Sequence, residues 1–304
     1  MGKLLDRALD MDNLRAAWNE VADNRGMSGV DDVSIRRWGR RWEERLVALA
    51  RDVRANRYKP AKLRVRRIPK KRRDQFRTLR IPTVTDRILQ RAVLQVLYRI
   101  YEPRFLDCSF GYRPGRSLRD AVQLILTLRD RGLTWVLDAD IDAFFDEVDQ
   151  ELLMAWLRER IHDAMLLRLI SRWLERARPD PEKPKGLAMG SPLSPLLANV
   201  YLHPLDLGLT TEGWQPVRYA DDFVVLTPSR AAAEEAYEVT ERLLDALHLR
   251  YEPSKTEIVS FEEGFEFLGV LFEDDEYAYP WERKRISVEG GRVDALFSDY
   301  GPHY

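Results

Sequence analysis

The stretch QPVRYADDFVVL, residues 215–226, sets two apolar arms on either side of a pair of adjacent carboxylates, Asp221 and Asp222. Valine, tyrosine and phenylalanine favour strands and aspartate favours turns, so the reading is a β-hairpin with both carboxylates at its tip. Two ionised carboxylates side by side repel, at least cost in open solvent or around a cation. A solvent-facing Asp-Asp turn accounts for an isolated pair equally well. By itself, then, the pair decides the local fold and not the chemistry.

A second acidic cluster lies upstream. In DADIDAFFDEVD (138–149), which follows the apolar run TWVL, Asp138, Asp140 and Asp142 recur with period two, and Asp146 follows. On a strand these three share a face, and only one or two need meet the hairpin carboxylates. Phosphoryl transfer uses such anionic ligands to hold divalent cations about 3.5–4 Å apart. Mg²⁺ suits carboxylate and phosphate oxygens, whereas one cysteine, Cys108, and the dispersed His162, His203, His248 and His303 offer no zinc-type cluster.

Charge is balanced overall, 49 basic against 50 acidic residues, but not locally. Residues 51–80 hold 14 Lys or Arg against 2 Asp, and residues 261–280 hold 7 acidic residues and no basic one. The basic segment is suited to phosphates, whose counterions are released on binding. No apolar run is long enough to span a membrane, so none is expected as a partner, and a single cysteine leans toward a reducing cytoplasm.

Apolar spacing predicts helices over 11–23, 35–56 (Trp38, Trp42, Leu46, Leu49), 84–102, Ser117 to about 130, 149–160, 163–177, from near Pro192, and over 229–247. Strands are predicted in the basic segment as a pair with a connection carrying Lys70, Lys71 and Arg72, at 134–141, in the hairpin, and at EFLGVLF (266–272). Helix and strand do not alternate regularly. The fold class is therefore α+β, an antiparallel sheet backed by helices with a basic extension.

YADD flanked by apolar residues, with DADIDAFFD upstream, resembles the palm of a reverse transcriptase, closest to the group II intron lineage and its CRISPR-associated relatives. Further segments agree in order: RGMSGVDDVSI (25–35), FRTLRIPTVTDRILQRAV (76–93), SFGYRPGRS (109–117), GLAMGSPLSPLLANVYLHPLD (186–206), PSKTEI (253–258) and EFLGV (266–270). The resemblance covers residues 12 to about 270. It implies a right-hand fingers and palm with a thumb absent or very short: an N-terminal extension and fingers with part of the palm over 1–130, the main palm over 131–272, and a tail or the start of a thumb or fused region over 273–304. It further implies an RNA-directed DNA polymerase that uses two Mg²⁺ ions, or Mn²⁺ in their place, with an RNA template, a DNA or RNA primer and deoxynucleoside triphosphates. The CRISPR-associated branch implies Cas1 and Cas2 as partners in spacer acquisition. An intron-derived or domesticated stand-alone enzyme, an RNA-dependent RNA polymerase, and a binding module without catalysis are the alternatives.

By the same resemblance Asp140, Asp221 and Asp222 are the catalytic carboxylates, and the carbonyl of Ile141 completes the metal shell. Phe145 is placed under the sugar, where a ring collides with a 2′-hydroxyl; two core phenylalanines at 144 and 145 are the plainer reading. Arg77, then Arg80, face the triphosphate, and Arg113 and Arg116 hold nucleic-acid backbone. Met189 and Gly190 line the nucleotide site. Met189 departs from the family's glutamine there, and a thioether has no N–H to donate. Lys255 assists the leaving pyrophosphate or organises the nucleotide site, against the alternative of an ordinary exposed lysine.

Overall fold

The computed structural model describes residues 3–69 and 76–279. In chain order the elements are α1 (Lys3–Ala8), α2 (Met11–Asp23), α3 (Ile35–Gly39), α4 (Trp42–Arg54), β1 (Arg64–Pro69), β2 (Phe76–Ile81), α5 (Val84–Tyr101), α6 (Leu118–Arg129), β3 (Trp135–Ala139) and α7 (Phe144–Glu147). They continue with α8 (Gln150–Arg160), α9 (Ala164–Ala177), α10 (Ser194–Thr211), β4 (Gln215–Tyr219), β5 (Asp222–Thr227), α11 (Arg230–Ala246), β6 (Glu257–Ser260), β7 (Phe265–Phe267), β8 (Val270–Glu273) and β9 (Glu276–Ala278). The fold is mixed α and β, with antiparallel sheets backed by helices, as the sequence pattern implies. Among the described residues no helix is long and apolar enough to cross a membrane.

The chain divides into two compact units, Met1–Phe105 with Ala143–Tyr201, and Leu106–Asp142 with Leu202–Tyr304. In the second unit a four-stranded antiparallel sheet runs in the order β4-β5-β3-β6. Five consecutive residues of β5, Phe223–Thr227, are buried, because α6 and α11 pack against the sheet and leave no open face for alternation. Val136, Val217, Val224 and Leu226 meet Val122 and Ile125 of α6 in one core, each large apolar side chain adding about 1.5–3 kcal/mol. Ser117 starts α6 with a capping box: its hydroxyl accepts from the Asp120 amide, and the Asp120 carboxylate accepts from the Ser117 amide at 2.7 Å.

EFLGVLF departs from the single strand predicted for it. The chain reverses at Leu268–Gly269, both at positive φ (53° and 80°), and β7 pairs with β8 through Phe267 and Val270. Two residues at positive φ are what a tight hairpin turn demands, and the reversal puts Phe265, Phe267, Val270 and Phe272 into the same core.

In the first unit α5 is buried along most of its length, capped by Thr83, with α1 and α2 against it. Asn13 ties them together, donating to the carbonyls of Ala8 at 2.9 Å and Ala92 at 3.0 Å. The helix predicted over 35–56 is two helices. Trp38 packs against Trp18, tilted by 31° with ring centroids 4.7 Å apart, and donates its indole N–H to Thr85 at 2.9 Å, so α3 is docked on the core by its tryptophan. Arg41 then leaves helical geometry (φ −141°, ψ 43°), and α4 restarts with Leu46, Leu49, Ala50 and Val53 inward while Trp42 stays half-buried.

The basic segment forms the antiparallel pair β1–β2, in register from Arg64↔Ile81 to Pro69↔Phe76. Beyond its first residue β1 is exposed throughout. Lys70, Lys71 and Arg72, placed by the sequence in the connection, lie outside the described residues.

Gln150 organises the loop that leads to Met189. It is 3% exposed, its amide donates to the carbonyls of Leu174 at 2.7 Å and Gly186 at 2.8 Å, and its carbonyl accepts from Arg178 at 2.8 Å. Gln150→Leu keeps the volume and strands these groups. Each buried polar group left without a partner costs about 1–3 kcal/mol, so urea denaturation is expected to show a loss of roughly 2–5 kcal/mol. An unchanged midpoint would show that the loop is held by other contacts.

Candidate active site

In the second unit the acidic residues gather where the sheet strands end. The hairpin β4–β5 turns over Ala220 and Asp221, with Tyr219 paired to Asp222 across it. Ala220 takes a left-handed φ of 62°, which costs about 1–3 kcal/mol in a residue other than glycine and must be held by its surroundings.

Asp140 arrives from β3. That strand ends at Ala139, so the shared face predicted for Asp138, Asp140 and Asp142 is not formed. Instead the chain runs along residues 250–252: the Asp140 carbonyl accepts from the Glu252 amide at 2.8 Å, Ile141 bridges to Tyr251, and the Asp142 amide donates to Arg250 at 3.0 Å. Ile141 is buried and Asp142 exposed. Asp138 stays in the sheet, opposite Val224 on one side and Glu257 on the other.

The electrostatics are those of crowded carboxylates. Asp222 is open on its outer side, yet the protein packed around its carboxyl, then the charges of Asp221 and Asp140, push its pKa up to about 7. Asp222 and Asp140 are within hydrogen-bonding reach of each other. Burial, then Asp222, Glu257 and Asp140, likewise push Asp138 up to about 7. The Lys255 ammonium opposes this charge: it forms an ion pair with Asp140, and against the effect of desolvation its own pKa is raised by that partner and by Asp222. The 252–255 turn that carries it is closed by the Lys255 amide on the Glu252 carbonyl at 3.0 Å.

Among the described residues no group of three or more His, Cys, Asp or Glu is gathered closely enough to hold a metal ion. The donor set of Asp140, Asp221 and Asp222 nevertheless fits a hard divalent cation by its chemistry. It is all carboxylate oxygen, strained by its own repulsion, and eased by an ammonium on the carboxylate next to Asp222.

The other predicted residues lie in the first unit. The Arg80 amide donates to the Met189 carbonyl at 2.8 Å, and its guanidinium pairs with Asp146 at 2.7 Å. Gly190 has a φ of 115°, and a Cβ there would come within 3.3 Å of the Arg80 carbonyl, so strand and loop meet backbone to backbone. Arg77 is exposed on β2. Phe144 is 2% exposed in the core, whereas Phe145 is half-open, edge-on to Phe144 at 5.5 Å. The two phenylalanines therefore differ in kind.

Two arginines expected on nucleic acid are engaged within the protein. Arg113 is 7% exposed and donates to the carbonyls of Leu106 at 2.6 Å and Ser109 at 2.7 Å. Arg116 pairs with Asp107 and covers the Phe110 ring at 5.4 Å. Sequence reasoning overlooked Arg218, which is 1% exposed and paired with Asp206 of α10. The available signal was an arginine at a strand position whose neighbours Pro216 and Val217 are apolar.

With this geometry in hand, comparisons place the chain among known proteins. Residues 68–272 match the family model described as reverse transcriptase (RNA-dependent DNA polymerase). Protein YkfC of Escherichia coli K12 is 32% identical across an alignment covering 79% of this chain and 74% of that protein. The group II intron-encoded protein LtrA of Lactococcus lactis subsp. cremoris is 36% identical over 168 residues, 54% of this chain but 28% of that longer protein. Telomerase from Candida albicans, solved with a fragment of telomeric RNA, shares the fold at a TM-score of 0.54 and 16% identity, over 81% of this chain and 50% of that one. The family match covers most of the chain and spans both units: the chain belongs to the reverse transcriptase (RNA-dependent DNA polymerase) family.

Proposed function

We propose that this chain extends a primer 3′ end with deoxynucleotides on an RNA template, and that Asp140, Asp221 and Asp222 carry the reaction. The observation behind this reading is the convergence of these carboxylates at one end of the palm-like sheet, where burial and the charges of Asp221 and Asp140 raise the proton affinity of Asp222. Mg²⁺ bound there, or Mn²⁺ in its place, would supply activation of the attacking hydroxyl and stabilisation of the leaving oxygen. Asp140 and Asp221 would hold it directly, with the Ile141 carbonyl, while Asp222 adds negative potential.

The remaining residues bind and orient. Arg77 is exposed and ready for a triphosphate. Arg80 is held by Asp146 and reaches phosphate only by sharing or exchanging that partner. The half-open Phe145 ring is the group that would meet a 2′-hydroxyl. Lys255, released from Asp140, is placed to accept the charge of the leaving pyrophosphate. We assign the fingers and part of the palm to residues 1–130 and most of the palm to 131–272.

The biological setting follows the relatives. Identity to a group II intron-encoded protein supports an intron-derived or stand-alone enzyme over one partnered with Cas1 and Cas2.

The test is incorporation of labelled deoxynucleotide on an RNA template with an annealed DNA primer, with Mg²⁺ present or chelated. The unmodified chain is expected to extend the primer only with Mg²⁺, and Asp221→Asn to fall to background while binding the duplex normally. Extension by the Asp221→Asn variant would remove that residue from the reaction, and preference for ribonucleotides would make the enzyme an RNA polymerase. In the same assay Phe145→Ala should lower the preference for deoxy- over ribonucleotides by roughly tenfold or more, the scale on which a lost pocket contact acts. Unchanged preference in a folded variant would return Phe145 to a packing role.

A further inference from the structure

The hairpin that carries Asp221 and Asp222 rests on a buried charge. Arg218, on β4, and Asp206, on α10, are each 1% exposed. Their contact is a two-pronged fork, Nε to Oδ1 at 2.6 Å and Nη2 to Oδ2 at 2.5 Å. The same guanidinium donates from Nη1 to the Ala220 carbonyl at 2.8 Å and from Nη2 to the Ser109 hydroxyl at 2.8 Å.

The main chain repeats the connection. The Arg218 amide donates to Cys108 and the Phe110 amide to the Arg218 carbonyl, both at 2.8 Å. A Cβ on Gly111 would lie 2.3 Å from the Ala220 nitrogen, so the segment 108–111 is pressed against the turn. Ala220 itself is the left-handed residue of that turn.

Stability alone gives little reason for this arrangement. Replacing a buried ion pair by apolar side chains of similar volume is often neutral or stabilising, because both charges must be stripped of water. What an apolar pair cannot do is donate to the Ala220 carbonyl. A rigid, planar fork already fixed by one carboxylate can hold a second acceptor at a set angle.

We infer that Arg218 and Asp206 are positioning residues: the buried pair holds the strained Ala220 turn, and through it Asp221 and Asp222, in the geometry that nucleotide addition uses. This rests on the polymerase reading given above. The pair touches neither substrate nor metal in this scheme and acts through the turn, with the Arg218 charge also felt at Asp221.

The test uses the full chain and three variants, Arg218→Met with Asp206→Leu together, Arg218→Lys alone and Asp206→Asn alone. Three quantities are read: amide hydrogen exchange of residues 219–222 without metal, kcat for deoxynucleotide addition, and Kd for primer–template. In the double variant, unfolding cooperatively, exchange at 219–222 is expected to rise, and kcat to fall, by at least about tenfold, the scale of one lost hydrogen bond to a charged group. Kd should stay within about twofold. Arg218→Lys should show both changes in smaller measure.

If a folded variant keeps both exchange and kcat within about twofold, the pair is only core filling and the inference fails. Should the double variant not fold, the single variants decide by the same readouts. If the unmodified chain adds no nucleotide, the polymerase reading fails on its own, and unchanged exchange at 219–222 would separately overturn the clamp.

Discussion

Mutual repulsion among carboxylates is the constraint around which the second unit is built. Burial, and after it the charges of Asp222, Glu257 and Asp140, raises the proton affinity of Asp138, and burial with the charges of Asp221 and Asp140 raises that of Asp222. A flexible loop would relieve such crowding by moving apart. Here the strands cannot move: β3 and β5 are interior to the sheet, their apolar residues locked between α6 and α11. The hydrophobic core therefore bears the electrostatic cost, and the site keeps a strong appetite for positive charge. Lys255 answers part of it with the ion pair to Asp140.

The first unit uses backbone more than side chain to shape its own candidate residues. Gln150 collects three polar groups around the loop that precedes Met189, and the Arg80 amide then pins the Met189 carbonyl. Gly190 lets the loop and β2 approach without a Cβ between them. Arg66, Arg67 and Arg77 are exposed on β1 and β2 and half-buried Arg64 pairs with Asp32; exposed cations of this kind favour phosphate binding through counterion release.

Most of the architecture was legible from apolar spacing and turn chemistry. The hairpin at 215–226, the capped helix after Ser117 and the long helix after Thr83 all have strong local signals that agree with their packing. The failures have one cause, tertiary contacts that local patterns do not encode. Nothing in residues 35–56 announces that Trp38 will dock on Trp18 and Thr85 and so end a helix early. The period-two aspartates suggested a continuing strand, but residues 250–252, a hundred positions away, capture the chain after Ala139. Arg113 and Arg116 were assigned to nucleic-acid backbone by resemblance, and their partners within the protein, carbonyls and Asp107, are invisible to composition. Asp140 was selected over its neighbours by resemblance, and the contacts with Lys255 and Asp222 are physical grounds that spacing could not supply.

Met189 stands where the resemblance implies a glutamine, and the framework around it rests on backbone. Its thioether offers no N–H and only a weak acceptor, so any contact that needs a glutamine side chain is gone. The link that positions the loop, however, is the Met189 carbonyl receiving the Arg80 amide, and every amino acid provides that carbonyl. Gly190, whose φ of 115° few side chains tolerate, is retained next to it. Backbone geometry at this position is thus insulated from the identity of residue 189. The identity of residue 189 therefore bears on what its side chain touches and not on the Arg80 amide contact that holds the loop.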